Sequence, residues 1–571
     1  MSNDIVGNQA ITKFDVLVIG SGAGGSPVAY LLAAAGQKVL VLEAGANRFD
    51  KLDAPDGPIS RSSNDELKLL RRNFLNPDPI VEPRTWRTSE ADGDRKGIGE
   101  VNSLAKTVGG GATHADLKMP RFYPDDFKLK TLLGDVANAN FADWPVQYDE
   151  LEPYYLFGER ALGVQGVAGA NPFEGPRSGD FPMGFGNDMY CSIKVKDGAA
   201  KLGYTVAPYA AALNSKPYDG RPACVDCGFC SGYGCPTNAR GTPAVTMLRK
   251  ALMTGNCLLR AETRVVKLLT NGAKTEITGV ECIGPDGKRV TYTADRYVLA
   301  ASPIEDARLL FLSDPAGLGN SSNMVGRHLM FHLHTDAVAV FDERLHSHRG
   351  RTVTHFLADF RGKPNDAARP LGGIVEISAS GGLLLESGFY KRALTTLGKW
   401  DGGKFLRLMD QSPFRDRAMA LAMVGEDAPQ LTNRVDLDPA VKDLDGLPVA
   451  RVTYNNHAYE LSAREFYAPK MLEVLKAAGA RFVGRAPVDD IPATSHIMGT
   501  LRSGTDPKTS VCDPNGRFHD IGNLYASDGA LFPTSAGANP TMTIVALALR
   551  VGAAMVNATS PLSALPPPPA G

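Results

Sequence analysis

Hydrophobic periodicity near the start of the chain changes twice in quick succession. Phe14 to Ile19 is a short, almost unbroken apolar run of strand length, Ser26 to Ala35 is a longer one rich in Ala and Leu, and Lys38 to Leu42 is a second β-type run that ends at Glu43. That order predicts strand, helix, strand, with the turn Gly20-Ser21-Gly22-Ala23-Gly24-Gly25 between the first two. Later, Phe331 to Phe341 alternates apolar and polar residues, and Arg451 to Tyr454 does so briefly, which predicts strands such as Ala337 to Phe341 and Arg451 to Tyr454 in an antiparallel sheet. The apolar run Thr543 to Leu549 predicts a helix that begins at Pro540, with Asn539 as its N-cap. The stretch Asp53 to Lys96 is rich in Pro, Asp and Arg and reads as an excursion outside the core, and residues 561–571 form a proline-rich tail.

Length and composition narrow the field. The 571 residues, 43% hydrophobic and 22% charged, suit a soluble protein of two or more domains. Sixty-one Lys and Arg against 62 Asp and Glu leave a net charge of -1, so nothing draws the chain to nucleic acid. The amino terminus lacks the basic residues and long apolar run of an export signal, and no apolar stretch approaches the ~20 residues of a spanning helix. The expectation is a cytoplasmic protein without a transmembrane segment, or one exported with a partner that carries the signal.

The glycine turn carries the first chemistry. Gly20 permits the tight turn, Gly22 lets the backbone approach a pyrophosphate, and Gly25 lets the helix pack on the strand, while the helix N-terminus offers N–H groups to phosphate oxygens. Glu43 stands where an acidic residue accepts from an adenosine ribose. The motif reads only an ADP moiety, so NAD and FAD both remain open. After Gly45 the chain leaves for an irregular stretch and returns at a second glycine cluster, Val108-Gly109-Gly110-Gly111-Ala112-Thr113-His114, which favours a discontinuous nucleotide domain.

Four segments in one order carry a resemblance to a known family: GSGAGG with LEAG; VGGGATH; AASPIEDARLLFLS with VGRHLMFH; and HIMGTLRSG with NLYASDGALFPTSAGANPTMTIVALALR. The chain resembles the glucose-methanol-choline (GMC) flavoprotein oxidoreductases, and GEDAPQLTNRVDLDP with DGLPVARVTY is similar to the branch holding bacterial sugar and gluconate dehydrogenases. The resemblance implies an α/β fold: a discontinuous Rossmann-like FAD domain (1–46, 97–150, 221–325 and 490–560) and a substrate domain with an antiparallel sheet and helices (47–96, 151–220 and 326–489). It implies FAD, with Gly20, Gly22, Gly25 and Glu43 at its ADP half, Val265 near the adenine, Gly109 and Gly110 near the flavin ring, and Asp528 and Gly529 near the ribityl and pyrophosphate. The spacing GG-x-x-TH is similar to that of pyranose oxidases, whose histidine is bonded to the flavin, which makes His114 a candidate attachment point; the Trp that usually follows is Ala115 here.

The same resemblance places His496 and Asn539 before the substrate alcohol, with Pro540 and Thr541 opening a helix toward the flavin. Chemistry explains the pair. An alcohol surrenders its hydride more readily as an alkoxide, so a base must meet the O–H; histidine titrates near working pH, and an adjacent amide donor holds the developing oxyanion. The expected activity is FAD-dependent oxidation of a sugar or polyol CH–OH group by a dehydrogenase, with an oxygen-using oxidase or a flavin-containing lyase as alternatives. Its partners would be an alcohol or sugar substrate and an electron-accepting protein or small accessory subunit.

Cys224, Cys227, Cys230 and Cys235 are spaced C-x2-C-x2-C-x4-C-P, one residue longer than a bacterial ferredoxin run. An iron–sulfur cluster, a structural thiol or disulfide loop, and zinc are all open readings. His332 and His334 read as structural or hydrogen-bonding residues, while His346, His348 and His355 fall in an Arg-rich stretch that reads as solvated. Ser380 to Trp400, with several large apolar residues, reads as a lid, a partner surface or packed core.

Overall fold

The computed structural model describes residues 5–7, 13–54, 56–62, 82–92, 97–99, 104–346, 350–363, 366, 370–379, 398–411, 416–488 and 495–556. His348, residues 380–397 and the tail lie outside them. The fold is mixed α/β and is built round two six-stranded sheets.

The first sheet supports the glycine turn. Its order is Ile5–Gly7, Cys257–Arg260, Val39–Leu42, Phe14–Ile19, Ala294–Leu299, Leu524–Ala526, and all neighbours except the first pair run parallel. Val16, Leu17, Val18 and Val39 are fully buried, as expected of parallel strands covered on both faces. The predicted strand Phe14 to Ile19 forms with those limits, and the helix after the turn runs Gly25–Ala34. That helix packs against the C-terminal helix Thr541–Met555 and against Ala244–Met253. The sheet therefore joins strands from both ends of the chain.

The second sheet is antiparallel: Phe482–Arg485, Leu333–Val340, Ala418–Gly425, Gly373–Ala379, Val353–Leu357, Val206–Pro208. Its apolar face, including Ala337, Phe341, Val375 and Leu421, packs with Tyr467, Met471 and Val474 of the helix Ala458–Ala477. His334 is the second residue of the strand Leu333–Val340.

Three expectations need correction. The strand containing Arg451 is Pro448–Thr453, and it belongs to a separate four-stranded sheet, antiparallel to Arg434–Lys442 and parallel to Arg84–Arg87. Arg84–Arg87 lies inside the supposed excursion, yet Thr85 is fully buried and Trp86 joins a core cluster with Val452 and Phe331. His355 is likewise not solvated: it is buried on Val353–Leu357, where burial lowers its pKa to about 4. Among the described residues no helix is long and apolar enough to cross a membrane.

Candidate active site

A single cavity of about 890 Å³ runs from the glycine turn to the two candidate residues His496 and Asn539. Gly20, Gly22, Glu43, Gly110, His114, Val265, Asp528, Gly529, Pro540 and Thr541 all line it. Gly20 has φ +102°, and a Cβ there would stand 2.2 Å from the Ala300 carbonyl oxygen, so the turn requires glycine. At Gly22 the nearest atom to an added Cβ is the Gly110 Cα at 3.7 Å, so a side chain at Gly22 would grow into the cavity. Gly25 stands behind the lining, where an added Cβ would meet the Gly20 carbonyl oxygen at 2.0 Å; its job is packing, as its position in the motif suggests. Gly109 stands beside the lining residue Gly110 rather than in the wall itself; it turns the backbone at φ +91°, and its N–H donates to Ser21 Oγ at 3.0 Å.

Glu43 has its oxygens engaged within the protein. Oε2 accepts from Ser21 N at 3.1 Å and Ser21 Oγ at 2.6 Å, and Oε1 accepts from Gly45 N at 2.8 Å. It ties the glycine turn to the end of the strand Val39–Leu42, and burial raises its pKa. Asp528 is also held, accepting from Ser302 N at 2.8 Å and Ala530 N at 2.9 Å. The cavity thus offers a nucleotide a glycine-only approach, a helix N-terminus and fixed acids; these features fit the ADP half of FAD, and the open space at Gly111 lies beside His114.

His114 is buried and lines this cavity, and its Nε2 has no hydrogen-bond partner among the described residues. Burial, and then Arg240, lower its pKa to about 4, so the ring is neutral.

The far end of the cavity holds a hydrogen-bonded chain. His332 Nε2 lies 2.8 Å from the Ala536 carbonyl and 3.3 Å from that of Ser535, and its Nδ1 lies 2.8 Å from His496 Nδ1. Carbonyl oxygens only accept, so His332 Nε2 carries the proton. Burial lowers the His332 pKa to about 3, which keeps the ring neutral and leaves Nδ1 as an acceptor. His496 must then donate from Nδ1, and its Nε2 presents a lone pair. Burial, reinforced by His332, His334 and Lys118, holds the His496 pKa well below its ordinary value. Asn539 Nδ2 approaches that lone pair at 3.2 Å, while its Oδ1 accepts from the Tyr209 hydroxyl. The expected N-cap role of Asn539 is not seen: the helix starts at Thr541, Pro540 occupies the cap position, and the amide is committed to His496 and Tyr209.

Beyond His496 the cavity wall is polar. Lys118 Nζ lies 2.6 Å from Glu376 Oε2 and 3.6 Å from Asp116 Oδ2. Burial would lower the Lys118 pKa, but those two carboxylates outweigh it and raise it, so the ammonium is retained. Asp116, Lys118, His334 and Asp336 all line this end. The sequence pointed to none of Tyr209, Lys118 and Glu376, which lie in unremarkable local patterns.

The cysteine segment does not gather as a metal centre. Among the described residues, which include all eight cysteines, there is no disulfide, and no three His, Cys, Asp or Glu residues are grouped to hold a metal ion. Cys230 is buried and Cys227 exposed; Cys224 Sγ accepts from Asp226 N at 3.4 Å, and Cys235 Sγ contacts Thr237 Oγ1 at 3.5 Å. The iron–sulfur expectation at Cys224, Cys227, Cys230 and Cys235 is therefore not supported. The loop is instead latched to the segment that carries His114: buried Arg240 donates to the carbonyls of Thr113 at 3.0 Å, Cys230 at 3.0 Å and Tyr233 at 2.8 Å, and Gly232 N donates to His114 O at 2.8 Å.

Known proteins share this arrangement of chain. Residues 187–334 and 429–548 each match the GMC oxidoreductase family. The 2-methyl-1,2-propanediol dehydrogenase of Mycolicibacterium austroafricanum is 32% identical over 94% of this chain and 94% of its own. The fructose dehydrogenase large subunit of Gluconobacter japonicus is 29% identical over 95% of this chain and 98% of its own. Among solved structures, pyridoxine 4-oxidase from Mesorbium loti superposes with a TM-score of 0.62 at 16% identity, covering 96% of this chain and all of that one, a likeness of fold alone. With a Rossmann-type nucleotide cradle, two matching family segments and relatives aligned from end to end, the chain belongs to the GMC oxidoreductase family.

Proposed function

We propose that the protein is a dehydrogenase that oxidises a CH–OH group of a sugar or polyol, with FAD in the cavity and His496 as the base. The observation that carries this reading is the chain Ala536 carbonyl, His332, His496, Asn539, which leaves a neutral imidazole with its Nε2 lone pair turned toward an amide donor at the cavity end. FAD, when bound, supplies the acceptor for the electrons and hydrogen that leave the alcohol carbon.

His496 Nε2 takes the hydroxyl proton. The Nδ1–H that faces His332 stays in place, so the ring can carry a positive charge without turning. Asn539 Nδ2 donates to the alcohol oxygen as negative charge gathers there, and Tyr209, neutral because burial keeps its pKa well above the ordinary value, pins the amide by bonding Oδ1. The N-terminus of the helix Thr541–Met555 lies beside Asn539 and adds a favourable potential for developing negative charge.

His114 is the proposed point of covalent flavin attachment, supported by its cavity position and unpartnered Nε2. The dehydrogenase reading, with another protein as electron acceptor, draws on the names of the two relatives, one of them a large subunit of an assembly. The testing experiment is an anaerobic visible spectrum of the holoprotein against a panel of sugars, polyols and simple alcohols. Bleaching of the flavin band supports the reading; a band unmoved by every alcohol removes it.

A further inference from the structure

We infer that His334 recognises a second hydroxyl group on the carbon next to the one oxidised, so that the preferred substrates are vicinal diols; this rests on the alcohol-oxidation reading above. His332 and His334 stand two residues apart where the chain enters the strand Leu333–Val340, and the structure gives them different tasks. His332 backs onto His496, whereas His334 is exposed to the cavity and lines it. The rings of His334 and His496 have centroids 5.7 Å apart and are inclined at 65°. Neither ring nitrogen of His334 makes a hydrogen bond among the described residues.

A polar ring held at a cavity wall without a partner implies a polar ligand. Burial lowers the His334 pKa, with Glu376 and Asp336 pulling the other way, so at neutral pH the ring offers one donor and one acceptor, the complement of a hydroxyl group. Oxygens on adjacent carbons lie about one hydrogen-bond length apart, and two imidazoles at this separation can each meet one of them. A lone hydroxyl reaches only His496. A carboxylate would be served worse than a hydroxyl here, because the charge of nearby Lys118 is already matched by Glu376 and Asp116.

The test compares matched pairs, propane-1,2-diol with propan-1-ol and cyclohexane-1,2-diol with cyclohexanol, by kcat/KM on the flavin-loaded enzyme. Wild type should favour each diol by at least about tenfold, since a site built to bond a hydroxyl is left with unsatisfied groups by the analogue that lacks it. In His334→Ala the diol-to-monoalcohol ratio should fall toward unity with flavin content unchanged, and His334→Gln, which keeps a donor and an acceptor, should restore part of it. Wild type without a preference, or a preference that survives in His334→Ala, overturns the inference and leaves alcohol oxidation standing. If no alcohol of any kind bleaches wild-type flavin, both fall together.

Discussion

His332 Nδ1 and His496 Nδ1 lie 2.8 Å apart, and that single contact decides which nitrogen of His496 faces the cavity. Two neutral imidazoles can share one such contact only if one donates and the other accepts. The carbonyl oxygen of Ala536 fixes the first ring, and the first ring fixes the second.

Removing that constraint has a defined cost. His332→Ala should slow flavin reduction by about ten- to a hundredfold, the usual effect of losing a partner that orients a functional imidazole, while FAD stays bound. Rapid mixing of the oxidised enzyme with excess substrate measures it. A rate equal to wild type would show that the ring of His496 is oriented by something else.

The proposed base should matter more. His496→Ala is expected to reduce the same rate constant by about two to four powers of ten with flavin content unchanged, and a loss of only a few-fold would take this residue out of the proton-abstracting role.

The pH dependence follows in sign from the burial of His496. Its pKa lies below the ordinary histidine value, so the deprotonated, reactive form persists as pH falls through about 6.5. The acid limb of the kcat/KM profile should therefore appear below that pH, and the profile should be flat from there to neutrality. A limb centred near 7 would mean that burial does not control the group.

Gly22→Val tests the cradle. An added Cβ would meet the Gly110 Cα at 3.7 Å, an ordinary contact, and the rest of the new side chain would stand in the cavity on the path proposed for the pyrophosphate, so purified protein should lack the flavin absorbance band. Full occupancy in that variant would move the phosphates elsewhere.

His114 makes a visible prediction. If its Nε2 is joined to the flavin, acid precipitation leaves the yellow colour in the protein pellet, and His114→Ala releases it to the supernatant. Colour wholly in the supernatant of wild type would show that the flavin is held without a bond.

What could be read from the sequence depended on how local each signal is. The strand Phe14–Ile19 and its glycine turn were legible because burial on both faces writes an uninterrupted apolar run, and the turn follows it directly. The start of the last helix was misplaced by one residue because Asn539 has the right chemistry for a cap but is drawn away by Tyr209, 330 positions earlier. The hydrogen-bonding reading of His332 holds, but its partners could not be named from the sequence, since His496 lies 164 residues onward and the Ala536 carbonyl 204. Arg84–Arg87 was missed for a related reason: its polar, proline-rich flanks look like solvated chain, and it becomes a buried strand by pairing with Arg451–Thr453 on one side and Gly97–Gly99 on the other.

The order of strands in the parallel sheet also bears on how the enzyme is made. Leu524–Ala526 forms its last edge beside Ala294–Leu299, and the helix that follows Asn539 packs on the helix of the glycine turn. At a translation rate of about 5–20 residues per second, the ribosome finishes the glycine turn roughly half a minute to two minutes before it adds Asn539. During that interval the nascent chain holds half a dinucleotide site, so the cradle is complete only after Asn539 has been added, and from the synthesis of Ala294–Leu299 until that of Leu524–Ala526 this strand is an open sheet edge that needs shielding from other strands.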